Sequence, residues 1–134
     1  MKPFPNSLES EKFILGALLI DNSLINEVAG EIEPDDFYKA QHKDLYLFIR
    51  SWITSGKSID MALLADHVMS TNQHKRFGDL TYVISLPEAV GSTMMTEHHA
   101  KNVREKAIRR RMVLASQRLQ GNATNGDLDV DELI

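Results

Sequence analysis

The sequence predicts an all-α protein, in which a compact multi-helix head is followed by a long helix that begins a helical hairpin. Three observations predict this class. Apolar residues recur at the three- and four-residue spacing of helices, and capping residues precede most of these segments. Only residues 80–86 alternate as a strand would. With 134 residues, 43% of them hydrophobic, the chain can bury a core although it has no cysteine for disulfides.

The first predicted helix begins after Ser7, because serine is a favoured N-cap residue, and it ends near Asp21. Residues 13–20 are apolar on every side of the helix, which predicts that its second half is buried. Gly16 and Ala17 are small and would let another helix approach closely.

Shorter helices are predicted to complete the head. Asn22 or Ser23 can cap a second helix, and a strong apolar stripe indicates a helix over residues 39–55. Asp60 is expected to cap the helix that follows. We interpret residues 80–86 as a short helix, because no other segment could pair with them as a strand.

The last predicted helix, residues 96–119, would be about 36 Å long, which is more than a head of this size needs. Its apolar residues form two faces more than a quarter turn apart, so we expect two packing partners. One face is expected to pack on the head and consists of Ala100, Val103, Ala107 and Leu114. The other is predicted to be an oligomer interface and consists of Ile108, Met112, Ala115 and Leu119.

The chain is predicted to divide into a globular head, residues 1–92, and a hairpin region, residues 93–134. After Gly121 a loop leads to acidic residues that are typical of the first turns of another helix. That helix would be cut short at Ile134. We therefore expect the chain to be a fragment of a longer protein.

The net charge of −4 hides an uneven distribution. Residues 1–95 carry −5, residues 96–120 carry +5 and residues 121–134 carry −4. The basic residues of the long helix are therefore the best candidates for a partner-contact face, namely Arg104, Arg109, Arg110 and Arg111. The alternative is a solvated helix face on which Glu105 pairs with its neighbours. We favour a protein partner over single-stranded DNA, because no aromatic residue lies between them to stack on bases.

No phosphate-binding loop is present, since the Gly56-Lys57 pair lacks the upstream glycine of that motif. The sequence therefore predicts no catalytic and no cofactor-binding residue in this chain. The longest apolar run, residues 13–20, is too short to span a membrane. We expect a cytoplasmic protein without a membrane partner.

The histidines and paired aspartates do not predict a metal site either. His98 and His99 diverge on a helix, and solvated or loop histidines are the simpler interpretation. His42 lies on an apolar stripe, which favours a core histidine satisfied by hydrogen bonds. Asp35 and Asp36 are consecutive, so a capping role is favoured over an acid–base or metal-binding pair.

Six segments, in order along the chain, resemble the N-terminal domain of the replicative hexameric DNA helicases of the DnaB family. They are residues 8–22, 35–38, 42–46, 56–60, 78–82 and 103–107. The chain departs from the family pattern at Asp79, Met95 and His99, where that family often has glycine, asparagine and tyrosine. The last two departures lie at the base of the long helix, where they bear on the angle between head and helix.

The resemblance implies that hairpins pair between subunits and that heads and hairpins build the collar of a hexamer. It also implies contacts with primase and with a helicase loader. The ATPase motor, with its ATP and Mg²⁺, would lie beyond Ile134 in the parent helicase. We expect this chain alone to have no ATPase or helicase activity and to bind little DNA.

Three alternatives are open on the sequence alone. The chain could be a free-standing helicase loader or adaptor with the same form. It could be a small helical DNA-binding protein that uses its arginines, although the net charge of −4 argues against this. The third alternative is a small metal-dependent enzyme, which the scattered histidines argue against.

Overall fold

Twelve helical segments make up the computed structural model, which describes residues 3–133 and, for Leu133, the backbone only. The α-helices are α1 (Leu8–Ile20), α2 (Ile25–Glu31), α3 (Ala40–Thr54), α4 (Met61–Ser70), α5 (His74–Phe77), α6 (Leu80–Ser85), α7 (Thr96–Thr124) and α8 (Val130–Leu133). Short 3₁₀ turns lie at Asn22–Leu24, Pro34–Asp36, Pro87–Ala89 and Thr93–Met95. Within residues 3–133 there is no strand, which confirms the all-α class.

Helix α1 lies at the centre of the head. Because residues 13–20 are apolar on every side, this part of the helix must be covered, and α3, α7 and the turn at Pro87–Ala89 contact α1. Ile14, Leu15 and Leu18 have no exposed surface. The prediction that the second half of this helix is buried is confirmed.

Gly16 is the point where α1 meets the turn at Pro87–Ala89. A Cβ atom at this position would lie 2.2 Å from the carbonyl oxygen of Leu86 and 3.0 Å from a methyl group of Val90. Backbone rather than a movable side chain therefore occupies the space. The close approach predicted for this glycine is confirmed, although the approaching segment is the end of α6 and its turn.

Asn22 holds the connection between α3 and α4 against the end of α1. Its side-chain amide donates hydrogen bonds to the carbonyl oxygens of Leu18 and Ile59, each at 2.7 Å. Its Oδ1 accepts one from the Ile59 amide at 2.9 Å. Our prediction that Asn22 or Ser23 caps the second helix is wrong, because Asp21 caps the intervening turn by accepting from the Ser23 amide.

Other local predictions are confirmed by the caps. Ser7 accepts a hydrogen bond from the Ser10 amide, and Asp60 accepts one from the Leu63 amide. Residues 80–86 are helical up to Ser85, with Asp79 as the N-cap.

The long helix differs from its predicted length. It continues through Gly121 to Thr124, because a glycine inside a helix weakens it without ending it. The helix after it, α8, has only four residues. No helix among the described residues is long and apolar enough to cross a membrane.

Two glycine substitutions test the contact between α1 and the end of α6. We expect Gly16→Ala to lower the free energy of unfolding by about 1–3 kcal/mol, because the new methyl group overlaps the Leu86 carbonyl. Gly30→Ala is the control, since a Cβ there meets nothing within 4 Å. It should change stability by at most about 1 kcal/mol, in the stabilising direction. Urea unfolding followed by circular dichroism measures both, and equal effects would contradict the packing described.

Candidate interaction surface

The first half of α7 belongs to the head. Ala100, Val103 and Ala107 are each at most 1% exposed and face α1 and α2. These three were predicted to pack on the head. Leu114, which was predicted to join them, is 50% exposed because the head ends before the helix reaches it.

The second half of α7 extends away from the head. Of residues 111–124, all of which the structure describes, none is buried. The predicted oligomer interface lies at this transition and beyond it. Ile108, Met112 and Leu119 are 44%, 66% and 59% exposed, and Ala115 is half-buried.

A shallow groove of about 390 Å³ lies along this exposed apolar face. It is lined by the apolar side chains of Ile108 and Met112 and by long charged side chains of the same helix. The lining residues are Lys101, Arg104, Glu105, Ile108, Arg109 and Met112. An apolar strip flanked by charge on a solvent-facing helix is typical of a protein-binding surface.

The predicted basic face is divided by the structure. Arg109 and Glu105 form an ion pair at 3.0 Å within the helix, and both are more than half exposed. Arg104 is 53% exposed and lies 4.0 Å from a carboxylate oxygen of Glu31 on α2. Arg104 and Arg109 therefore remain at the surface beside the groove.

Arg110 does not belong to an exposed basic face, and the prediction is wrong for this residue. Its side chain is 8% exposed and donates to the carbonyl oxygens of Pro5, at 2.9 Å, and Asp36, at 2.7 Å. The guanidinium carbon lies 5.2 Å from the centroid of the Tyr38 ring. Desolvation lowers the pKa of Arg110, but an arginine stays charged at physiological pH. It therefore holds α7 to the head.

Arg111 forms an ion pair with the carboxylate of Asp36 while half of its own side chain stays exposed. The other oxygen of that carboxylate accepts from the Glu33 amide at 2.8 Å. Asp36 is thus a turn cap, as predicted for the paired aspartates. Among the described residues, no group of histidine, aspartate and glutamate side chains could hold a metal ion.

His99 occupies the joint between α1 and α7, so the prediction of a solvated or loop histidine is wrong for it. Its ring stacks on Phe13 with centroids 4.0 Å apart, and its Nδ1 lies 2.8 Å from Ser10 Oγ. Asn102 donates to the same hydroxyl oxygen. The Ser10 hydroxyl keeps its own proton free, so it can donate to Nδ1 of a neutral imidazole.

Burial lowers the pKa of His99, and the neighbouring His98 on α7 lowers it further. Glu9 on α1 acts in the opposite direction. The lowered pKa favours the uncharged ring in the folded protein, and the contact with Ser10 is compatible with that form.

Three residues of the resemblance segments meet in a buried polar network that sequence reasoning missed. Glu11, 1% exposed, accepts from the amide of Tyr38 at 2.8 Å and pairs with His42 Nδ1 at 2.9 Å. The other ring nitrogen of His42 is hydrogen-bonded to the hydroxyl of Tyr82. His42 is a core histidine with both nitrogens satisfied, as predicted.

This network joins α1, α3 and α6 and has a structural role. Desolvation raises the pKa of Tyr82, and the nearby Glu11 raises it further, so the hydroxyl stays protonated and is a poor nucleophile. The sequence signal that could have revealed the network is that all three polar residues lie in the resemblance segments, at positions 11, 42 and 82.

Two tyrosine substitutions test the network. Tyr82→Phe should lower the free energy of unfolding by about 1–3 kcal/mol, because it leaves a buried imidazole nitrogen without its partner. Tyr46→Phe is the control. The Tyr46 hydroxyl is buried and has no hydrogen-bond partner among the described residues. Its removal should change stability by no more than about 0.5 kcal/mol. Denaturant unfolding compares them, and a larger loss in Tyr46→Phe would contradict this assignment.

The His99 joint predicts a pH dependence. Because the pKa of His99 is lower in the folded chain than its ordinary value of 6.5, the unfolded chain binds the proton more tightly. The contribution of His99 to the free energy of unfolding should have its full value above pH 6.5. It should decrease as the pH falls below that value. His99→Gln should remove this part of the slope, whereas His74→Gln, at an exposed position, should keep it. Thermal melts from pH 5 to 8 measure the slopes, and identical slopes in both variants would refute the prediction.

A model of the family described as DnaB-like helicase N terminal domain matches residues 3–105. The chain is 24% identical over 130 residues to the replicative DNA helicase DnaB of Geobacillus stearothermophilus. It is 28% identical over 121 residues to that of Treponema pallidum. These alignments cover 97% and 90% of this chain but only 29% and 28% of the relatives.

Solved structures give the same result. The N-terminal domain of DnaB helicase from Mycobacterium tuberculosis superposes with a TM-score of 0.88 at 28% identity, over 98% of this chain and 92% of that one. A DnaB-like replicative helicase, described with its interactions with primase, shares the fold with a TM-score of 0.72 at 24% identity. That alignment covers 87% of this chain and 27% of the helicase chain. With the family match over residues 3–105, these similarities show that this chain belongs to the DnaB-like helicase N-terminal domain family.

Proposed function

We propose that this chain is the N-terminal module of a hexameric replicative DNA helicase, in which it joins subunits and docks partner proteins. The observation that carries the proposal is the exposed apolar face of α7 at Ile108, Met112 and Leu119. Large apolar side chains in line on a solvent-exposed helix lose their contact with water only when another chain covers them.

A second copy of this chain is the occupant that the charges favour. The groove beside Ile108 is bordered by three basic residues and one acidic residue, namely Lys101, Arg104, Arg109 and Glu105. Its border is therefore basic on balance, while the first 95 residues carry a net charge of −5. Opposite charges on the two parts of one chain favour contacts between copies.

The proposed division of the chain assigns residues 1–92 to the head and residues 93–134 to the hairpin. The first arm of that hairpin is α7, and α8 begins the second arm. In the whole helicase, an ATPase motor outside this chain would bind ATP and Mg²⁺ and carry out unwinding. That assignment is supported by the helicase relatives, of which the chain spans about 29%.

Primase is the partner that we propose for the assembled module, and a helicase loader is the second. Support for primase comes from the related DnaB-like replicative helicase, whose structure is described together with its interactions with that enzyme. We propose that the module works in the cytoplasm and contacts little DNA through α7. Two of its three consecutive arginines contact Asp36, and Arg110 is also buried.

Placing charged side chains on the exposed apolar face tests self-association. We expect Ile108→Asp with Leu119→Asp to weaken association about tenfold or more. Burying one large aliphatic side chain is worth about 1.5–3 kcal/mol, and a partly buried one somewhat less. Sedimentation velocity over a concentration series measures the association, and far-ultraviolet circular dichroism confirms that the helices persist.

The matched control is Ile20→Asp with Met69→Asp, which places the same charges at exposed apolar positions of the head, 52% and 63% exposed. This variant should associate like the parent chain. If the α7 variant also sediments like the parent, the exposed face is not the interface. Adding primase from the same source to each sample shows whether docking requires the associated form.

A further inference from the structure

We propose that Arg110 is a positioning residue, which fixes the direction in which the second half of α7 leaves the head. Three elements meet at its guanidinium. Nη1 donates to the Pro5 carbonyl of the N-terminal segment, and Nη2 donates to the Asp36 carbonyl in the turn before α3. The ring of Tyr38 lies alongside.

Arg110 is also the last buried residue of α7. Ala107 is the buried residue before it, and none of residues 111–124 is buried. Arg110 is therefore the last side chain of the helix to enter the head, and the half-exposed Arg111 after it adds an ion pair to Asp36 of the same turn. A planar guanidinium that donates to two fixed carbonyls restricts rotation as well as translation, which a single apolar contact does not.

The geometry gives the expected size of the effect. Without Arg110 the last buried residue is Ala107, which precedes Gln120 by 13 residues. Thirteen residues of helix span about 20 Å, so a tilt of about 15° would move residue 120 by about 5 Å. The proposed interface residues Met112 and Leu119 lie on this part of the helix. Loss of Arg110 should therefore displace these interface residues relative to the head, although the residues themselves are unchanged.

The chain suits a distance measurement because it has no cysteine. Cysteines introduced at Ser51 on α3 and Gln120 on α7, both exposed, would carry nitroxide spin labels. The labelled chain is mixed with excess unlabelled chain, so that an assembly contains one labelled copy. Double electron–electron resonance then reports the distance within one molecule.

We expect a narrow distance distribution in the parent chain and a shifted or broadened one in Arg110→Ala, by about 5 Å for each 15° or so of tilt. Arg109→Ala is the matched control. That side chain is exposed and forms its ion pair with Glu105 on the same helix, so the parent distribution should persist. An unchanged distribution in Arg110→Ala, or equal changes in both variants, would overturn the proposal.

Arg110→Lys is the second variant, for use if Arg110→Ala shows no cooperative thermal transition and is therefore not folded. A lysine keeps the charge and the aliphatic stem, but its ammonium group lacks the planar fork that reaches two carbonyls at once. The distribution should broaden while the melting transition remains cooperative. A parental distribution in this variant would show that charge and packing alone set the direction of the helix.

The consequence for assembly rests on the proposed function, whereas the distance does not. Arg110→Lys should weaken sedimentation-detected association although Ile108 and Leu119 are intact. If neither the parent chain nor any variant associates, the proposed function is wrong. The distance measurement still decides whether Arg110 sets the direction of α7. A broadened distribution with parental association would show that Arg110 sets the direction of α7 and that the interface tolerates the change.

Discussion

The burial of α1 on all of its sides is the constraint on which the rest of the structure depends. An apolar helix without a polar face can exist in water only inside other elements, and here the head closes around it. Gly16 lets the end of α6 approach until backbone meets backbone. Asn22 holds the connection between α3 and α4 against the other end. The long helix α7 is part of this enclosure, and the face that carries Ala100, Val103 and Ala107 is therefore not available to partners.

Buried polar groups fix how these apolar surfaces fit together. Hydrophobic burial is non-directional, so it does not determine which way α3 and α6 lie against α1. The Glu11–His42–Tyr82 network does, because each hydrogen bond requires one geometry and an unsatisfied partner would be costly. The neighbouring residue of α1, Ser10, does the same for α7 through its hydrogen bond with His99. The orientation of these helices against α1 is therefore set by a few polar contacts in a large apolar core.

Local features were predictable from the sequence because their causes are local. Ser7 and Asp60 cap helices as expected, since an N-cap interacts with amides two or three residues away. The class, the buried α1 and the exposed face at Ile108 follow from apolar spacing in the same way. The polar contacts of the head were not predictable, because Glu11 and His42 are 31 residues apart, and Arg110 and Pro5 are 105 apart. The spacing of apolar residues along the sequence does not predict such long-range pairs, because the partners come together only in the folded chain.

The three consecutive arginines show why a run of like charges in a sequence is not a surface patch. Successive residues on a helix point about 100° apart, so Arg109, Arg110 and Arg111 must face different surroundings. The first faces solvent and pairs along the helix, the second enters the head, and the third reaches the carboxylate of Asp36. The same argument applies to the two apolar faces of α7. One face ends at the last buried residue, and the other begins to be exposed just before it. A single helix is therefore held by the head at one end and leaves its apolar side chains exposed at the other.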